Sequence, residues 1–183
     1  SPALQKSDMG VPRPYVQIHF QSCPAVQEKK KSPIKNLMKI AIEAQRIFRA
    51  NKHGMDFVAL ESIRELQKQK DGNEYYVLVA PGEDRCLENS SNLSIVEISC
   101  PGGYPLWEQV ALPLAVKSLG ADLLHCTSNT APLWCPVPLV LTLHDIIYLE
   151  PRQHRSPSLY QEMGRHYRRL VVPRILKKCR KII

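Results

Sequence analysis

From residue 38 onward, short apolar runs alternate with longer segments of helical period, and this alternation constrains the fold more than any other feature. The runs are KIAIEA (39–44), YYVLVA (75–80), SIVEIS (94–99), DLLHC (122–126) and PLVLTL (138–143). Each is short, rich in Val, Ile or Leu, and of strand length rather than helix length. Between them the period changes. Residues 56 to about 70 carry Val58, Ala59, Ile63 and Leu66 near helical spacing, and the turn residues Asp71, Gly72 and Asn73 end that helix. Residues 105–119 read as a second helix, with Pro105 in its first turn and Gly120 at its end. Residues 158 to about 179 read as a long basic helix that Pro173 interrupts or kinks, and 180–183 begin a sixth strand. Buried strands that alternate with helices pair in parallel and are covered on both faces. The fold class is therefore α/β, a Rossmann-like parallel sheet flanked by helices. Open sheets of this kind bind ligands at the carboxyl ends of their strands.

The alternation begins at Met38, and the chain before it has a different character. Residues 1–37 contain Pro2, Pro12, Pro14, Pro24 and Pro33 and the charge run Glu28-Lys29-Lys30-Lys31, with no sustained helical or strand period. This segment is expected to be a disordered leader or linker, and 38–183 to be the folded domain. Charge follows the same division. Residues 1–37 hold six Lys/Arg and two Asp/Glu, 38–150 hold nine and fourteen, and 151–183 hold ten and one. The net charge of +8 thus belongs to the two ends, and the mildly acidic middle argues against a nucleic-acid surface across the fold. The six cysteines form no C-x-x-C pair and no zinc spacing. They read as reduced thiols in a cytoplasmic protein. No apolar run approaches the ~18 residues that span a bilayer, and no apolar stretch near the N-terminus resembles a secretory signal.

Four segments fall on the rim at the strands' carboxyl ends. After the first strand, Gly54 precedes a helix whose free N–H groups and dipole suit an anion such as a phosphate. After the third, Gly102 and Gly103 form a flexible turn, and Glu108 presents a carboxylate at the start of the following helix, beside a Trp107 read as core or interface rather than as a ligand platform. After the fourth comes TSNTAP (127–132), whose hydroxyls and amide suit a polyhydroxylated ligand, with Ser128, Asn129 and Thr130 at its centre. After the fifth, the apolar run stops at His144 and Asp145. An imidazole at a strand end can both donate to and accept from a sugar hydroxyl, and Asp145 is read either as the cap of a turn or as the group that orients the ring and fixes its tautomer. The segment EAQRIFRANKHGMD lacks G-x-G-x-x-G, which argues against a dinucleotide site. A metal phosphohydrolase would need ligands beyond His144, Asp145 and His125, and no metal is expected. Neither a G-x-S-x-G elbow nor a P-loop occurs.

With these segments in order, the chain resembles the N-terminal domain of glycosyltransferase family 4 enzymes. The pieces that carry the resemblance are MKIAIEAQRIFRANKHGMDFVALESIREL, YPLWEQVALPLAVKSLGADLLHCTSNTAP, VPLVLTLHDIIYLEP and the closing YRRLVVPRILKKCRKII. The resemblance implies the N-terminal half of a GT-B fold, in a retaining transferase with two Rossmann-like domains facing across a cleft. The N-terminal domain shapes the acceptor site there. A C-terminal domain with an E-x7-E motif binds the nucleotide sugar, and that second domain is absent from residues 38–183. Carried over, the family's glycine loop falls on Gly54 near the donor phosphates, with one glycine where the family often has two. The strand-end histidine falls on His144, the catalytic candidate, bonding the transferred sugar or the acceptor. Ser128, Asn129 and Thr130 line the acceptor side, with Asp145 and Glu108 beside them. The implied partners are a nucleotide-sugar co-substrate and a glycan or lipid-linked acceptor, with no other cofactor. The basic final helix adds the expectation of a peripheral contact at the inner face of a membrane. The alternative is a catalytically inactive fragment or binding module of the same fold. Binding of nucleic acid by the basic tail is disfavoured, because aromatics interleave there only at Tyr160 and Tyr167.

Overall fold

The computed structural model describes residues 17–20, 37–146 and 159–183. Among these, the strands are β1 (Gln17–Phe20), β2 (Lys39–Glu43), β3 (Glu74–Val79), β4 (Leu93–Ser99), β5 (Leu123–Cys126), β6 (Leu139–Leu141) and β7 (Lys181–Ile182). The helices are α1 (Gly54–Gln67), α2 (Gly103–Leu106), α3 (Leu112–Leu119) and α4 (Leu159–Leu176), with a π-helical turn, Trp107–Ala111, joining α2 to α3. The strands form one sheet in the order β1-β4-β3-β2-β5-β6-β7. All neighbours pair in parallel except β1, which runs antiparallel to β4. The fold is the Rossmann-like α/β arrangement that the alternation implied.

Period-two burial shows why. Ile42, Val77, Val79 and Ile95 face one core together with Ala59, Leu60 and Ile63 of α1. Their neighbours Ala41, Leu78, Val96 and Ile98 face the other core with Trp107, Leu112, Ala115 and Val116. Val171 and Ile175 of α4 close that second core. A strand buried on both faces has no polar side to show, which is why these runs carry no alternation. Trp107 is core, as expected, and its indole N–H donates to the Ile98 carbonyl at 3.0 Å.

The parallel strands fall in the order 3-2-1-4-5-6 when counted from β2, so the order reverses between β2 and β5, the point at which open sheets hold ligands. Asp122 sets the register there. Its carboxylate accepts the Lys39 N–H at 2.8 Å, and its own N–H donates to the Lys39 carbonyl at 2.7 Å. With the amino ends fixed, Glu43 lies opposite Cys126 at the carboxyl ends.

Three expectations change. Most of 1–37 lies outside the described residues, but Gln17–Phe20 is an ordered strand on the β4 edge rather than part of a structureless leader. Residues 105–119 are not one regular helix, because the π-turn interrupts them. Pro173 does not interrupt α4, which runs through it to Leu176. Val171, Val172 and Ile175 on the same stretch are buried, and this packing holds the helix across the lost hydrogen bond. On the outer side of α4 and beyond it, Arg169, Arg174, Lys177 and Lys178 are exposed. No helix among the described residues is long and apolar enough to cross a membrane.

Candidate functional site at the switch point

Two buried carboxylates anchor the rim between β2 and β5. Glu43 ends β2 and is 1% exposed. It accepts the backbone N–H groups of Gln45 at 3.0 Å and Thr127 at 3.3 Å. Burial raises its pKa above the ordinary value, and the nearby charge of Glu108 adds to the effect. The Gln45 N–H, the Arg46 guanidinium and the Thr127 N–H oppose it.

Glu108, on the π-turn, is 0% exposed. Its Oε1 accepts the Tyr104 hydroxyl at 2.6 Å and the Thr130 hydroxyl at 2.5 Å. Its Oε2 accepts the Gln109 amide at 3.0 Å and the Tyr167 hydroxyl from α4. Burial, followed by the charge of Glu108, pushes both tyrosines well above the ordinary phenol value, so both remain donors. Tyr104 and Tyr167 meet edge to face at 6.0 Å, and the Arg46 guanidinium lies 5.5 Å from the centre of the Tyr104 ring.

The loop 127–130 is buried although every side chain in it is polar. Thr127 Oγ1 donates to the Glu43 carbonyl at 2.8 Å, and Thr130 is tied to Glu108. Asn129 takes the left-handed conformation, φ 62°, which Asn tolerates better than most residues. Its Oδ1 accepts the His144 backbone N–H at 2.6 Å. The His144 Nε2 lies 2.8 Å from the Thr127 carbonyl. A carbonyl only accepts, so Nε2 carries the proton and a neutral ring keeps Nδ1 as an acceptor. The two-way bonding expected of this imidazole is thereby reduced to one nitrogen, and the Thr127 carbonyl, rather than Asp145, fixes the tautomer.

The sequence candidates therefore separate. His144, Ser128, Asn129, Thr130 and Glu108 come together. Among the described residues, nothing hydrogen-bonds Ser128 Oγ or His144 Nδ1. Glu108 accepts four donors, which fills the capacity of a carboxylate and leaves none for a ligand. Thr130 and Asn129 are likewise committed within the protein. Asp145 is half-buried beside His144. Gly54 opens α1 on the same edge of the sheet, and a Cβ built there meets nothing within 4 Å. The positive end of α1 is met by Asp56, which accepts the His53 N–H at 2.7 Å and pairs with Arg46 and Arg49. Glu43, Arg46, Tyr104 and Tyr167 are site residues that sequence reasoning did not find. Only Glu43 carried a signal, a charge at the carboxyl end of an otherwise apolar strand. Among the described residues, no group of three or more His, Cys, Asp or Glu is arranged to hold a metal.

The family model for Glycosyltransferase Family 4 matches residues 53–183, more than half of the chain. The chain belongs to glycosyltransferase family 4. No curated protein matches it. The span matched as a family 4 domain includes Gly54, Glu108, the loop 127–130, His144 and α4, while Glu43 and Arg46 lie before it.

Proposed function

We propose that this family 4 domain forms the acceptor side of a retaining glycosyltransferase of GT-B architecture, moving a sugar from a nucleotide-sugar donor to a glycan or lipid-linked acceptor. The supporting observation is the contrast within the rim. Nearly every polar side chain at the switch point is bonded inside the protein, whereas Ser128 Oγ and His144 Nδ1 are without partners among the described residues. A hydroxyl and an imidazole acceptor on neighbouring loops can bond two hydroxyls of one sugar ring. His144 takes the role of the strand-end histidine near the reaction centre, and Gly54 that of the residue near the donor phosphates. The donor nucleotide would be held chiefly by a second domain, since orientation of donor against acceptor requires both walls of a cleft. The basic outer side of α4 suits an anionic membrane carrying a lipid-linked acceptor.

Titration of the chain with oligosaccharides and with nucleotide sugars, followed by amide and imidazole NMR shifts, tests this reading. Saccharide-induced shifts at Ser128 and His144, without donor turnover, are expected. Micromolar nucleotide-sugar binding, or donor hydrolysis above the buffer rate, would place the whole reaction within these residues. If no saccharide moves either signal, the acceptor-side reading fails. In a two-domain form of the enzyme, His144→Ala should lower turnover at least about tenfold, roughly 1.4 kcal/mol of transition-state stabilisation. Equal sedimentation with neutral and anionic vesicles would remove the membrane contact.

A further inference from the structure

Glu108 does not reach the rim surface, yet it joins more elements there than any other side chain described. Through Tyr104 it holds α2, through Tyr167 it holds α4, and through Thr130 it holds the loop after β5. The π-turn makes this convergence possible. The Leu112 N–H reaches back to the Trp107 carbonyl, and in the widened turn Glu108 and its neighbour Gln109 both point inward. Gln109 bonds Tyr167 at 2.7 Å and the Ala131 carbonyl at 3.2 Å, and it accepts the Leu133 N–H at 2.8 Å. The loop that carries Ser128 is thus pinned at Thr127 by Glu43 and at Thr130 by Glu108. His144 touches neither carboxylate. Among the described residues, its hydrogen bonds go to the loop they hold, through Asn129 Oδ1 and the Thr127 carbonyl.

We propose that Glu108 is a positioning residue for His144. By fixing Thr130 it sets the path of 127–130, and that path presents the Thr127 carbonyl to Nε2–H and leaves Nδ1 as the acceptor. The inference rests on the reading of His144 as the sugar-bonding group, but its test makes no use of sugar or activity. A failure here therefore leaves that reading standing, and the reverse also holds.

Adjacent amides supply the readout. The His144 N–H donates to Asn129 Oδ1 in the loop, whereas the Leu143 N–H donates to the Ile183 carbonyl at 2.9 Å, on the β7 side. Hydrogen exchange is measured on the 183-residue chain by NMR at both amides and at the His144 Nε2–H, the ring signal being assigned by its loss in His144→Gln. Thr130→Val cuts the bond from the loop to Glu108 at nearly constant volume. Glu108→Gln replaces one acceptor oxygen by a donor. Both variants should speed exchange at the His144 amide and ring N–H by roughly tenfold or more while Leu143 stays within about twofold. Thr130→Ser, which keeps the hydroxyl, should restore the original rates. If Glu108→Gln does not fold, Thr130→Val and Thr130→Ser decide alone. Unchanged exchange at His144, or equal acceleration at His144 and Leu143, overturns the proposal. The first outcome means the loop holds itself, and the second means that Glu108 contributes only global stability.

Discussion

Two loops meet at the switch point, and they are held by opposite kinds of interaction. The loop after β5, 127–130, is closed by neutral donors on buried carboxylates and carbonyls: Thr130 on Glu108, and Thr127 on Glu43. The loop after β2, residues 45–53, carries Arg46, Arg49 and Lys52 at intervals of three. These pair with Asp56 and Asp84. Two of these cations are partly accessible, the Arg46 and Arg49 side chains being 29% and 31% exposed, while Lys52 is 4% exposed and its partner Asp84 is 44% exposed. Hydrogen bonds to a buried carboxylate fix direction, and any donor left without its acceptor is costly. Half-exposed ion pairs fix position loosely and can exchange one anion for another. The first loop is built to hold a shape. The second is built to hold charge.

The largest consequence lies in the first loop. Glu108→Ala removes the acceptor of the Tyr104, Thr130 and Tyr167 hydroxyls and one acceptor of the Gln109 amide, which keeps the Ala131 carbonyl at 3.2 Å. Orphaned buried donors cost about 1–3 kcal/mol each, so a total loss of roughly 3 kcal/mol or more is expected. For a chain of this size that lowers the midpoint of thermal unfolding by about 6–12 °C. A loss below about 1 kcal/mol would mean that water or rotated hydroxyls replace the carboxylate, and the contrast between the loops would collapse.

The second loop has one rigid point, and it is steric. A Cβ at Gly82 would lie 2.2 Å from the Phe48 carbonyl oxygen and 2.6 Å from its carbon. Backbone cannot rotate aside, so Gly82→Ala must move the 45–53 turn away from the loop after β3. An overpacking cost of about 1–3 kcal/mol in urea unfolding is expected. A neutral result would show that the turn shifts freely and that its ion pairs alone locate it.

How much of this was legible in the sequence follows the same division. The strands of the parallel sheet and the helices on its two faces were legible because burial on both faces leaves continuous apolar runs, and turn residues such as Gly120, left-handed at φ 61°, mark the ends. β1 was not, because four residues among prolines alternate too briefly to be recognised, and their partner β4 is far along the chain. The rim position of His144 was legible from the abrupt end of an apolar run. Its tautomer was not, since that depends on Thr127, 17 residues away. Glu108 was visible as a carboxylate near the rim, but a sequence cannot show that four donors, one of them 59 residues distant, consume it. Tyr167 was hidden inside a helix whose basic residues dominate its pattern. The π-turn leaves no mark in WEQVA that would separate it from ordinary helix.

Glu43 provides a subtler test of the closed loop, read as a slope rather than a size. Burial, with the charge of Glu108 adding to it, holds its proton more tightly in the folded chain than the ordinary value of 4.5 allows. An acid raised in this way contributes stability that is fully present below its unfolded pKa and is lost as the pH rises toward the folded one. Glu43→Gln removes the titration. The difference in unfolding free energy between variant and wild type should therefore move in the variant's favour from pH 4.5 upward, whatever constant offset the changed hydrogen bonds introduce. A difference that stays flat from about pH 4 to pH 8 would show that Glu43 ionises as freely as an exposed carboxyl. The switch point would then be wetter than its burial implies.

The smallest effect belongs to the ion pair at the edge of the charged loop. The Lys52 side chain is 4% exposed and pairs with Asp84, whose side chain is 44% exposed. A buried ammonium that loses its only partner would be destabilising, but Lys52 also donates to the Arg49 carbonyl at 3.2 Å. Water can reach the position that Asp84 leaves. Asp84→Asn should therefore cost less than about 1 kcal/mol, and that cost should shrink further between low salt and roughly 0.5 M salt. The Thr130→Val cost in the other loop should not change with salt, because hydrogen bonds within a dry site are not screened. Measuring both variants at the two salt concentrations brings the comparison to a single observable. A salt-independent Asp84→Asn, or a salt-dependent Thr130→Val, would show that charge and hydrogen bonding do not divide between the loops as the geometry has them.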